Sequence, residues 1–127
     1  MPLFHIWFST KSRKWLLEDG VGDLAEQALK EIAVNDSIRL VECRCIIDHA
    51  HLLVDAHSPK DLPGIMKALK GKSAHRVFQE VPELKLDAGT NHLWQRGYAW
   101  KLVPPGAQTT VQRYIRTQWD RLEKYER

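Results

Sequence analysis

Ile38-Arg39-Leu40-Val41-Glu42-Cys43-Arg44-Cys45-Ile46-Ile47-Asp48-His49-Ala50-His51-Leu52-Leu53-Val54 is the stretch that decides the fold. Ile38 to Ile47 is β-branched, Asp48 offers a turn, and Leu52-Leu53-Val54 continues as a second strand directly after the histidines. Two strands with no helix between them must pair as a hairpin. What flanks them is helical. Before them, Val21 to Val34 places Leu24, Ala25, Ala28, Leu29 and Ile32 at helical spacing. After them, Ser58-Pro59-Lys60-Asp61 reads as a helix start: a hydroxyl cap, proline in the first turn and an acid three residues after the cap. Ile65, Met66, Leu69, Val77 and Phe78 carry that helix onward, and Gly71 inside it marks a bend or a close approach of backbone to a ligand.

Outward from these, Leu3 to Thr10 reads as a first strand and Lys11 to Gly20 as a loop. Glu80 to Asn91 reads as loop and Leu93 to Val103 as a last strand stopped by Pro104-Pro105-Gly106. Thr109 or Thr110 then caps a final helix running to about Tyr125. The order β-α-β-β-α-β plus a helix is α+β. It predicts the split βαβ, ferredoxin-like (RRM-like) arrangement, an antiparallel sheet with helices on one face. In the last helix Val111, Ile115, Trp119 and Leu122 form the apolar stripe, with Tyr114, Gln118 and Arg121 beside it at the rim of the packed surface.

The chain has 127 residues, which predicts one domain over 1–127. No apolar run approaches membrane-spanning length, and Met1-Pro2-Leu3-Phe4-His5 lacks the basic start of a secretory signal, so a cytoplasmic protein is expected. Cys43 and Cys45 are the only cysteines. A disulfide between them would close a strained ring, so reduced thiols packed in the core are expected. The net charge of +3 is weak evidence for nucleic acid. Its distribution says more: Lys60, Lys67, Lys70, Lys72 and Arg76 are opposed by Asp61 alone, and Lys11, Arg13 and Lys14 form a second basic loop. Lys67, Lys70, Lys72 and Arg76 are candidate phosphate contacts; a solvated charged face is the plainer reading.

The chemistry rests on two motifs. On a strand, residues two apart share a face, so His49 and His51 can hold one metal ion. On a helix, residues four apart share a face, so Tyr114 and Gln118 present a phenol and an amide together. Two imidazoles, an amide oxygen and a phenol make a metal-assisted nucleophilic site. Each motif alone is weak, since His-x-His is as readily two partly buried histidines beside a turn. Cys43-x-Cys45 with His49-x-His51 offers a rival zinc set, but structural zinc sites space each ligand pair by two to four residues. His5, His57, His75 and His92 have no evident partner. Of Trp7, Trp15, Trp94, Trp100 and Trp119, most should pack in the core; Trp94 with Arg96 and Tyr98 could instead stack unpaired bases.

Taken together, these residues resemble the HUH single-tyrosine transposases of insertion sequences. Phe4 to Lys11 is similar to the family's opening strand, and Asp48-His49-Ala50-His51-Leu52-Leu53-Val54 to its His-hydrophobic-His signature. Leu69-Lys70-Gly71-Lys72-Ser73-Ala74 resembles its Lys-Gly helix, Trp94-Gln95-Arg96-Gly97-Tyr98 the segment before the last strand, and Tyr114-Ile115-x-x-Gln118 the nucleophile helix. The resemblance implies that His49, His51 and Gln118 bind a divalent cation, Mg2+ or Mn2+, and that Tyr114 attacks single-stranded DNA bearing hairpins at the element's ends. It implies a homodimer whose sheets join, with the tyrosine helix of one subunit completing the histidine site of the other. Lys67, Lys70, Lys72, Arg76, Arg96 and Arg113 become candidate DNA contacts. A phenol has an unperturbed pKa near 10 and needs help to attack near neutrality. Attack leaves a 5′-phosphotyrosine that conserves the bond, so no nucleotide cofactor is needed. The alternative is a non-catalytic, domesticated single-stranded nucleic-acid-binding module of the same fold. A relaxase or replication initiator shares the histidine pair, but the short chain and single candidate tyrosine disfavour it.

Overall fold

In the computed structural model, which describes residues 2–118, a four-stranded antiparallel sheet runs in the order β2-β3-β1-β4. The strands are β1 (Leu3–Ser9), β2 (Arg39–Ile46), β3 (His49–Asp55) and β4 (Ala99–Leu102); the helices are α1 (Val21–Asn35), α2 (Leu62–Glu80), α3 (Leu84–Ala88) and α4 (Gln108–Arg116). This is the ferredoxin-like order expected from the hairpin between two helices.

Register divides the residues between the faces. On β1, Phe4, Ile6 and Phe8 stand opposite Val54, Leu52 and Ala50 of β3, and Cys43 and Cys45 of β2 stand opposite Leu52 and Ala50. All are buried and meet Ala25, Ala28, Leu29 and Ile32 of α1 and Met66, Leu69 and Val77 of α2. Each large apolar side chain so buried contributes about 1.5–3 kcal/mol. Both cysteines are free thiols in that core. They face away from His49 and His51, which rules out a shared zinc site by strand parity. Gly22 lets α1 cross β2 closely: a Cβ there would stand 2.7 Å from the Cys45 carbonyl oxygen.

The other face carries Leu3, His5, Trp7 and Ser9 of β1 beside His49, His51 and Leu53 of β3. Here α4 docks, burying Ile115 against Leu53 and Val103, with Leu3, Val41, Ala107 and Val111 around them. The two helices of the ferredoxin-like unit, α1 and α2, cover one face as expected, and the additional C-terminal helix α4 covers part of the other.

Three boundaries differ from expectation. The last strand is only β4, because Gly97 takes φ +86° and Lys70 Nζ donates to the carbonyls of Gln95 and Gly97, turning that segment away from the ladder. Before it, Trp94 makes only an isolated bridge with Thr10. The loop after α2 contains α3, ended by Gly89 in the left-handed region. The final helix starts at Gln108 without a side-chain cap, leaving Thr109 and Thr110 inside it. Its expected continuation through Trp119, Arg121 and Leu122 to Tyr125 lies outside the described residues. Ser58 does cap, accepting the Lys60 N–H, although α2 proper begins three residues past Pro59. Trp7, Trp15 and Trp100 are exposed rather than packed, whereas Trp94 is buried and donates its indole N–H to Ser73 Oγ.

Candidate active site

The β2–β3 turn aims the first histidine. Ile47 holds φ +52°, a conformation costly for a β-branched residue, and its carbonyl accepts the Leu17 N–H. The Asp48 carbonyl accepts both the N–H and the hydroxyl of Thr10. Pinned on both sides, Asp48 directs its carboxylate to Nδ1 of His49 at 2.8 Å. A carboxylate only accepts, so His49 donates from Nδ1, and in the neutral ring this tautomer has its lone pair on Nε2. The Arg13 guanidinium lies 3.5 Å from the same carboxylate.

One pleat further, His51 is 8% exposed. Its ring lies 5.1 Å from that of His49 and nearly perpendicular to it. Its Nδ1 stands 3.0 Å from Nε2 of His5, a diagonal neighbour on β1, and the two rings stack at 5.2 Å. Burial, then the charges of His49 and His5, lower the His51 pKa to about 3, so the ring is neutral at physiological pH. Burial, with Lys101 across the ladder, lowers His5 as well.

Tyr114 closes the arrangement. Its ring stands edge-on to both His51 and His5, with centroids 5.8 Å away in each case. One turn on, Gln118 is buried and donates Nε2–H to the Tyr114 carbonyl at 2.9 Å, which presents the amide through its other atom, Oε1. Two ties beyond Ile115 fix the helix: Arg116 pairs with Glu42, and Arg44, itself beside Glu26, donates to the Arg116 carbonyl. The tyrosine thus meets the histidines of its own chain.

The donor set fits a hard divalent ion. Two imidazoles on one strand face and the Gln118 amide, one turn past Tyr114, are donor types such an ion accepts. Among the described residues no group of three His, Cys, Asp or Glu side chains gathers as a cation site.

The basic residues do not form one surface. Lys67, Lys70 and Arg96 line a cleft of about 990 Å³ between α2 and the segment before β4, with Lys11, Lys85, His75, His92 and Tyr98. It opens on the helix-covered side, since Trp94 packs edge-on against Phe8 there. Lys70 is engaged with backbone carbonyls, and burial lowers its pKa. Lys72 and Arg76 sit in an adjoining groove, paired with Asp36 and Glu31 of α1. Arg113 is exposed on α4, on the opposite side of the sheet. Trp94 lines the cleft, but its indole is spent on the core, which leaves Tyr98 and Arg96 of the expected stacking trio. Sequence reasoning missed His5, Glu42, Arg44 and Arg116. Only the same-face alternation of His5 and Trp7 on β1 hinted at the first; the others depend on where α4 docks.

The comparisons bear on family and fold. A family model described as "Transposase IS200 like" matches residues 3–118. The chain is 31% identical over 118 residues to the ISDra2 transposase TnpA of Deinococcus radiodurans, covering 93% of this chain and 84% of that protein. It is 28% identical over 116 residues to the transposase for insertion sequence element IS200 of Salmonella typhimurium, covering 91% and 75%. A crystal structure of a candidate transposase from D. radiodurans R1 superposes with TM-score 0.74 at 33% identity, covering 93% and 92% of the two chains. At 11% identity, a REP-associated tyrosine transposase bound to a REP hairpin shares the fold, with TM-score 0.61 over 91% of this chain and 65% of that one. The chain belongs to the IS200-like, single-tyrosine transposases.

Proposed function

We propose that this IS200-like transposase cleaves and rejoins single-stranded DNA at hairpin-bearing element ends, with Tyr114 as nucleophile and His49, His51 and Gln118 as ligands of a divalent cation. The observation that carries the reading is the Tyr114 ring seated edge-on against His51, on the one sheet face that also holds His49.

Tyr114 Oη attacks the scissile phosphorus, and the bond from phosphorus to the 3′ oxygen breaks. The phenolic proton is lost to solvent, the departing 3′ oxygen takes one up and becomes a 3′-hydroxyl, and the other strand stays joined to the tyrosine through its 5′ phosphate. In the second step a 3′-hydroxyl attacks that phosphotyrosine and the phenol leaves, restoring a phosphodiester. Mg2+ or Mn2+, held through the Nε2 atoms of His49 and His51 and Oε1 of Gln118, would supply Lewis-acid polarisation of the phosphate oxygens and charge neutralisation. Asp48 keeps His49 in the ligating tautomer, Gln118 is steadied by the Tyr114 carbonyl, and Ile115 holds the phenol over the site. No nucleotide cofactor enters the balance.

The cleft lined by Lys67, Lys11 and Arg96 suits a nucleic-acid backbone, with Tyr98 as a stacking ring. Gly71 lines it too; an added Cβ there would meet nothing, so the expected close approach would be to DNA and not to protein. The hairpin-bound relative of the same fold supports offering hairpins as substrate. A homodimer is supported by the edge strand β4, which pairs on one side only among the described residues and exposes Trp100 and Leu102. No helix among the described residues is long and apolar enough to cross a membrane.

The test is a denaturant-resistant protein–DNA adduct formed with labelled, hairpin-bearing single strands and Mn2+. Wild type should form it and Tyr114→Phe should not. An adduct from Tyr114→Phe overturns the nucleophile. A wild-type chain that binds hairpins but forms no adduct over a broad oligonucleotide set favours the non-catalytic binding module.

A further inference from the structure

We propose that His5 is a positioning residue: it accepts the Nδ1–H of His51 and so fixes the imidazole tautomer that leaves the His51 Nε2 lone pair for a cation. The inference rests on the reading of His51 as a cation ligand and assigns a role to a residue outside the proposed ligand set.

Between two neutral imidazoles a single 3.0 Å contact needs one donor and one acceptor. Two arrangements satisfy it. In one, His51 donates from Nδ1 to Nε2 of His5, and His51 Nε2 bears a lone pair. In the other, His5 donates from Nε2, the His51 proton sits on Nε2, and His51 can ligate nothing. His49 faces no such choice, because the Asp48 carboxylate can only accept. Both histidines therefore reach the ligating tautomer only if His5 accepts. Ligating histidines commonly have their second nitrogen held in this way, by a carboxylate or a carbonyl. An imidazole does it here without adding a second negative charge beside the Asp48 carboxylate.

The site also holds the His5 ring in place. It packs at 5.0 Å from Trp7, stacks on His51 and meets the Tyr114 ring edge-on. On β1 its register partners are Leu53 of β3 and Lys101 of β4, so the backbone at both sides is laddered. One side chain thus touches both the proposed ligand and the proposed nucleophile.

The experiment reads the tautomer directly, by nitrogen-15 histidine NMR on the cation-free chain, and Mn2+ affinity by the paramagnetic signal of the free ion. His5→Phe keeps a packed ring but removes the acceptor; His5→Gln offers an amide oxygen to the same N–H. Wild type is expected to show His51 protonated on Nδ1. His5→Phe is expected to lose that signature and bind Mn2+ about 10-fold to 100-fold more weakly. His5→Gln is expected to keep both within a few-fold of wild type. A wild-type His51 protonated on Nε2 overturns the proposal whatever the variants do, and so does a His5→Phe chain with wild-type tautomer and affinity. If wild type binds no Mn2+ while its His51 tautomer depends on His5 as stated, the positioning role stands and the cation reading falls.

Discussion

Ile115→Ala should detach the tyrosine helix while leaving the rest of the fold in place. α4 spans Gln108–Arg116 among the described residues, and a helix in a globular protein draws most of its stability from packing its apolar face. Among the described residues, the apolar part of that docking is Ile115 at 0% exposure, with Val111 half-buried. Burying the isoleucine is worth about 2–3 kcal/mol and the valine about 1. The Arg116–Glu42 pair, with its arginine largely exposed, adds about 0.5 kcal/mol. Truncation to alanine removes about 2–4 kcal/mol once the cavity is included, which brings docking close to balance. Phe4, Ile6, Leu29 and Leu52, the heart of the main core, are not touched. Amides of residues 108–118 should exchange at least tenfold faster, those of β1 and β3 should not, and adduct formation should fall about tenfold. The comparison is Leu52→Ala, which strikes the main core and should lower the global melting temperature much more. If Ile115→Ala melts the whole chain as Leu52→Ala does, or leaves exchange in 108–118 unchanged, the docking argument is wrong.

Without added cation, His51 should make the fold acid-sensitive. Its folded pKa of about 3 lies below an unfolded value near 6.5, so between them the unfolded chain binds the extra proton. Stability is full above pH 6.5 and falls as pH drops toward 3, by about 2 kcal/mol at pH 5. Urea titrations at pH 5 and 7.5 should show that loss in wild type and less of it in His51→Gln. Asp48→Asn should weaken Mn2+ binding about 10-fold to 100-fold, because an amide no longer dictates the His49 tautomer; the free-ion signal reads it. Lys67→Ala should reduce the salt dependence of single-strand binding by about one ion without changing the melting temperature. Lys70→Ala should lower both, losing about 1–2 kcal/mol with its carbonyl partners. Gly22→Ala should cost about 1–3 kcal/mol in urea unfolding, since its Cβ meets the Cys45 and Leu17 carbonyl oxygens.

The sheet order was legible from local signals, helical spacing over Val21 to Val34 and β-branched content rather than alternation over Ile38 to Ile47, and α1 and the strands around Asp48 appear nearly residue for residue. Local signals failed where structure came from a distant group. Leu93 to Val103 is β-prone throughout, yet a lysine on α2 takes two of its carbonyls and a glycine at φ +86° breaks the ladder. Lys72 and Arg76 read as free positive charge because Asp36 and Glu31, their partners, lie more than thirty residues away on α1. His5 read as partnerless for the same reason: the strands that make it a neighbour of His51 are joined only through α1 and β2.

Strand parity explains why one short motif could serve the core and the site together. Along Asp48 to Val54, the even residues Ala50, Leu52 and Val54 enter the main core and the odd residues His49, His51 and Leu53 face α4. A slip of one residue would bury both imidazoles among Phe8, Cys43 and Cys45 and expose the leucines. The apolar half of the motif therefore sets the register that presents the polar half. Leu53 then supplies the seat for Ile115, which lies one residue from Tyr114. The same strand that offers the histidines thereby fixes where the tyrosine helix lands, with the Tyr114 ring edge-on to His51.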